Sequence, residues 1–169
     1  MKLADLLSQK KVVILERWLH LLLDSYPPET SRFLKKEKDP FNNPLASRLS
    51  QGLKGLNGAL LEDTEANQVL ACLDDIVSIK AIQDFAPSQS LAFIFLLKKV
   101  IREELAPELK DPGLAAECLE VEDRIDGLSL LCFDVYVQRR EKLCDIRIKE
   151  VKNQVSGLLR RTGLSLSNS

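Results

Sequence analysis

The chain is poor in residues that carry chemistry. Its 169 residues include one His, one Trp and 5% aromatics, and its four Cys form no Cys-x-x-Cys pair. With a single imidazole, every Ser-His-Asp or Cys-His constellation would have to run through His20, and no second ligand stands near it for a haem or a metal. Cys72, Cys118, Cys132 and Cys144 fit no zinc or iron–sulfur spacing and fall in helically patterned segments, where Cys acts as a small buried hydrophobe. They read as reduced thiols of a cytoplasmic protein. Adjacent carboxylates such as Asp74-Asp75, Glu103-Glu104 and Glu122-Asp123 diverge by about 100° on a helix, so they do not form an acid/base pair. The sequence predicts no enzyme, no cofactor and no metal site.

Other absences bound the architecture. Seven Gly and seven Pro are too few for a collagen-like or disordered chain. The longest strictly apolar run, Leu91 to Leu97, is far short of the 18 or so residues that cross a bilayer, so no direct membrane insertion is expected. Lys2, Asp5, Lys10 and Lys11 interrupt the N-terminus, which lacks the apolar core of a signal peptide. The 24 basic and 25 acidic residues leave a net charge of −1, without the surplus that nucleic-acid phosphates require.

What is present is helical periodicity. Leu3, Leu7, Ile14, Trp18, Leu21 and Leu22 share a stripe of one first helix ending at Pro27-Pro28. Asn43 and Pro44 are a cap and first position for a second, whose Gly52, Gly55 and Gly58 invite close approach of a neighbour. Thr64-Glu65 opens a third with the face Val69, Leu73, Ile76 and Val77. A fourth starts at Pro87, and its Leu91–Leu97 half is apolar all round, which predicts a central helix covered on every side.

The last third predicts one long helix, about 112–161, followed by a disordered tail, 162–169. Leu114, Cys118, Val121, Ile125, Leu128, Cys132 and Val135 alternate spacings of four and three, a seam suited to pairing two copies. Parallel pairing would set Cys118 and Cys132 near their twins; core packing is the simpler role. A second seam, Val137, Cys144, Ile148, Val151, Val155 and Leu158, is offset from the first. Such a helix exceeds what one compact domain needs, so its end projects or pairs. Residues 138–161 carry eight basic and three acidic side chains, +5, leaving −6 on the rest. Arg139, Arg140, Arg147 and Lys149 are therefore candidates for docking a protein partner.

One block adds a family expectation. Ile82-Gln83-Asp84-Phe85-Ala86-Pro87-Ser88-Gln89-Ser90 leading into Leu91–Lys98, with Ile101-Arg102-Glu103-Glu104-Leu105, resembles the N-terminal domain of the RsbT co-antagonist proteins, the RsbRD N-terminal domain family. Leu15-Glu16-Arg17-Trp18-Leu19 and Tyr136-Val137-Gln138-Arg139-Arg140-Glu141-Lys142-Leu143 extend the likeness over nearly the whole chain. The resemblance implies an all-α bacterial signalling or input domain, often placed before an output domain. Because this chain ends after its long helix, the output is expected in a separate protein partner. A globin-like packing, as in related stressosome input domains without haem, and a four-helix bundle with an extended last helix are equally compatible.

In this setting Gln83, Asp84, Ser88 and Gln89 are read first as caps of the fourth helix, with Asp84 or Ser88 meeting its free N–H groups, and second as the rim of a ligand pocket floored by Phe93 and Phe95. The expected function is a non-catalytic, homodimeric regulatory module. The alternative is an adaptor docking on a larger complex, such as a membrane electron-transfer complex, without sensing a ligand.

Overall fold

The computed structural model describes residues 2–61, 65–83 and 85–163; Thr64, Asp84 and the tail from residue 164 lie outside them. Seven α-helices and one short 3-10 turn, Glu108–Lys110, make up the described residues, without a strand. The expected first helix is two: α1 (Leu3–Gln9) and α2 (Lys11–Leu23), broken at Lys10, whose backbone leaves helical values (φ −94°, ψ 8°). The break lets Lys10 Nζ donate to the Glu104 carbonyl at 2.5 Å and to Glu108 Oε1 at 2.9 Å. Here a tertiary contact overrides a periodicity that would have run straight through. A short α3 (Pro28–Lys36) follows, with proline at its first position.

Asn43 caps α4 (Pro44–Leu61), its Oδ1 accepting from Ala46 N at 3.2 Å while its Nδ2 donates to the Leu34 and Glu37 carbonyls. This ties the end of α3 to the start of α4. Helix α5 (Ala66–Ile82) returns against α4, and two glycines make the approach close. A methyl group on Gly52 would lie 2.6 Å from Ile76 Cγ1, and one on Gly55 would lie 2.2 Å from Cys72 Sγ; Gly58 faces open space and has no such role.

Helix α6 is Pro87–Glu104 and α7 is Pro112–Thr162. Asp111 caps α7 by accepting from the N–H groups of Gly113 (2.8 Å) and Leu114 (3.0 Å), and Gly163 ends it in the left-handed conformation (φ 71°) that lacks a penalty only for glycine. Fifty-one residues at about 1.5 Å each make it roughly 75 Å long.

The body is a closed ring of five helices: α4 packs on α5, α5 on α7, α7 on α6, α6 on α2, and α2 on α4. Trp18, Leu53, Ile76, Leu97 and Ile125 are among the fully buried side chains this ring encloses. Each such aliphatic side chain contributes about 1.5–3 kcal/mol relative to exposure. Helix α6 is not sheathed on every side. Its Phe93, Ile94, Leu97, Val100 and Ile101 are buried, whereas Phe95, two positions from Phe93, is 52% exposed. Two residues along a helix are about 200° apart, so one of the pair must face outward.

Candidate functional site

The residues expected to rim a pocket do not build one. Phe93 is in the core, its ring 6.4 Å from that of Trp18, and its carbonyl accepts from Trp18 Nε1 at 2.6 Å. Phe95 points to solvent, so the two cannot share a floor. Ser88 and Gln89 are exposed, and the cap of α6 comes from Gln89, whose Oε1 accepts from Ala86 N at 3.0 Å. Asp84 lies outside the described residues. Of the polar candidates among the described residues, Gln83 turns inward, accepting from the Tyr26 hydroxyl at 3.1 Å.

That hydrogen bond belongs to a junction the sequence reading missed. Lys80, on α5, is 2% exposed. Its Nζ lies 4.2 Å from the centre of the Tyr26 ring and 4.8 Å from that of Phe85, and donates to Ser25 Oγ at 3.1 Å. Tyr26 and Phe85 meet edge to face, 5.6 Å apart. The ammonium is thus held between two aromatic faces. Burial lowers its pKa from 10.5 to about 8, and burial raises that of Tyr26, the bond to Gln83 acting the other way. The signal was legible: Lys80 continues the stripe of Leu73, Ile76 and Val77, where a charged residue has no business unless it is held. The junction joins the end of α2, the end of α5 and the connection into α6.

The same α5 holds α7. Arg139 forks onto the Asp74 carboxylate, with Nε 2.5 Å from Oδ1, and Arg140 Nη1 donates to the Ala81 carbonyl at 3.1 Å. These two arginines, expected to dock a partner, are therefore spent within the chain, because the helix that carries them still lies against the body there. Arg147 and Lys149, farther out, are exposed. On α6, Arg102 forks onto the buried Glu122 of α7, which holds that carboxyl below its ordinary range.

The first seam of α7 also turns inward. Cys118, Ile125, Cys132 and Val135 are buried, and Leu114, Val121 and Leu128 pack against the same core. Covered by its own chain, this seam cannot be the face on which two copies pair, and Cys118 and Cys132 cannot reach their twins. Burial pushes the Cys132 thiol up to about 12, so it is an inert core thiol. Leu143 is the last α7 residue packed on the core. Beyond it, Ile148, Val151, Val155 and Leu158 are 45–60% exposed.

Away from the exposed end of α7, α2, α4 and the segment between α3 and α4 border a half-open groove of about 650 Å³, with Leu15, Leu19 and Leu53 along it and Glu16, His20 and Lys54 also on its walls. His20 is exposed on this groove. Among the described residues, no three His, Cys, Asp or Glu side chains converge to hold a metal ion, and no helix is long and apolar enough to cross a membrane.

No curated protein and no solved structure gave a match to the chain. The family described as the RsbT co-antagonist protein RsbRD N-terminal domain matches residues 13–150, which span α2 to the exposed part of α7. The chain belongs to the RsbRD N-terminal domain family.

Proposed function

We propose that the chain is a non-catalytic, cytoplasmic signalling module whose helical body is the input part and whose α7 carries its state to a separate protein. The observation that carries this reading is the division of one continuous helix. From Leu114 to Leu143 it is part of the core, and from Cys144 to Thr162 it leaves the body as about five uncovered turns with an apolar stripe. A rigid helix that is half core and half handle transmits a shift of its packing without a hinge. Helix α5 supplies the link, because it bears Lys80 on its inner face while its Asp74 and the Ala81 carbonyl hold Arg139 and Arg140.

Native-state hydrogen exchange tests this transmission on the chain alone. Lys80→Met alters the junction while leaving Asp74 and the Ala81 carbonyl, the partners of Arg139 and Arg140, in the chain. Altered protection of amides 137–143, with the α4 amides unchanged, is the expected result. If protection of 137–143 follows only direct substitutions such as Arg139→Ala and ignores Lys80→Met, the junction and the long helix are not coupled.

A further inference from the structure

We infer that the uncovered end of α7 docks an acidic amphipathic helix of a different protein. This rests on the reading of α7 as the output element and names the chemistry of its partner. In a heptad frame Ile148 and Val155 take one inner position and Cys144, Val151 and Leu158 the other, giving a narrow seam of period 3.5. All five are exposed. Such a seam fits one partner helix. A membrane-surface helix presents instead a broad apolar face with bulky Leu, Phe or Trp, whereas this seam widens only at Leu159, beside Leu158, and has no aromatic.

The edges of the seam select the partner. Past Leu143 the helix has Arg147, Lys149, Lys152, Arg160 and Arg161 against Asp145 and Glu150, a net +3. On one edge Arg147, Gln154 and Arg161 flank the inner positions, and on the other Asp145, Lys152 and Leu159 do, with Asp145 the single acidic flank. A second copy would answer these edges with the same charges. In parallel register Arg147 meets the partner's Lys152, and in an antiparallel register that pairs Ile148 with the partner's Leu158, Arg147 meets Arg161 and Lys152 meets Lys152. Flanking charge sets partner choice in helix pairs, by attraction to one sequence and repulsion of another. A helix with Glu or Asp at its flanks converts every one of these contacts from repulsive to attractive.

The test uses the full chain and two four-heptad peptides with Ile and Leu at the inner positions, one with Glu at all flanks and one with Lys. Titration of each labelled peptide, with sedimentation of the chain by itself, gives the readout. The expected result is a monomeric chain that binds the Glu peptide at least about tenfold more tightly than the Lys peptide at about 50 mM salt, a preference that shrinks at about 500 mM. Val151→Asp should abolish binding. Ile146→Asp, on the far side of the same helix, should leave it unchanged. Equal binding of both peptides overturns the acidic partner while leaving α7 a docking element. A chain that sediments as a dimer split by Val151→Asp, and ignores both peptides, shows that a second copy covers the seam and overturns the inference. So does binding to vesicles containing phosphatidylserine in place of either peptide, and so does a monomer that binds nothing. Transmission from the body is read separately by the exchange experiment above, which needs no partner.

Discussion

Lys80→Met isolates the energetics of the junction. Folding takes the Lys80 ammonium out of water into a site 2% exposed and lowers its pKa from 10.5 to about 8. A base that loses affinity for its proton on folding destabilises the native state wherever it is charged in both states. The cost is fully present below pH 8 and is relieved as pH rises from about 8 toward 10.5, because there the unfolded chain binds more protons than the folded one. Integrated over the two titrations, the cost is about 3 kcal/mol at pH 7.5 and about 1 kcal/mol at pH 9.5, so the wild type gains about 2 kcal/mol from this group across the interval. Methionine keeps the volume and the aromatic contacts without the charge. Urea unfolding followed by helical circular dichroism, at both pH values and in both proteins, separates this group from all others, which cancel in the comparison. The stability of Lys80→Met relative to wild type should fall by about 2 kcal/mol between pH 7.5 and 9.5. A difference constant within about 0.5 kcal/mol would refute the reasoning, since Lys80 would then titrate alike in both states.

Four further outcomes follow from the packing. Gly52→Ala should destabilise by about 1–3 kcal/mol, because its methyl group would meet Ile76 at 2.6 Å, whereas Gly58→Ala, in open space, should stabilise by up to about 1 kcal/mol through helix propensity; thermal unfolding ranks the pair. Arg102→Ala should cost about 1–3 kcal/mol in urea unfolding, since it leaves the buried Glu122 carboxylate without its fork. Acidification tests the same pair: Arg102 holds the Glu122 pKa below its ordinary value of 4.5, so its stabilisation is present above that value and lost as pH falls through the lowered one, and Glu122→Gln should flatten that part of the stability profile. In the native protein Cys144 should react first with a thiol reagent and Cys118 and Cys132 only after unfolding, as mass spectrometry of labelled peptides would show.

Local chemistry wrote much of the architecture into the sequence. Asn43-Pro44 and Asp111-Pro112 start helices where side-chain oxygens meet free N–H groups, and the four-three spacing of Leu114 to Val135, followed by the offset seam that reaches Leu158, specifies a long helix with two apolar faces. Gly52 and Gly55 marked a close approach, since a missing side chain has no other compensation in a helix. The Gln83–Ser90 block pointed to the family, and Lys80 stood on an apolar stripe four residues before Asp84.

Periodicity says that a face is apolar, but not what covers it. Both α7 seams have helical spacing, yet the body, chiefly α5 and α6, covers the first and leaves the second uncovered, a choice made by where the body ends along the helix. The run Leu91–Leu97 looked buried all round, and only the packing of α2 and α7 on one side of α6 decided that Phe93 is core and Phe95 surface. Charge is equally silent about its use: Arg139 and Arg147 are alike in sequence, but one lies within reach of Asp74 and the other beyond the body. The sequence by itself determined helices, caps and apolar stripes, which depend on neighbours a few residues away. Tertiary structure alone decided which stripe is core, which arginine is clasped and which lysine is caged, because burial and partnership depend on residues 55 to 65 positions apart in the chain, as with Ser25 and Lys80 or Asp74 and Arg139.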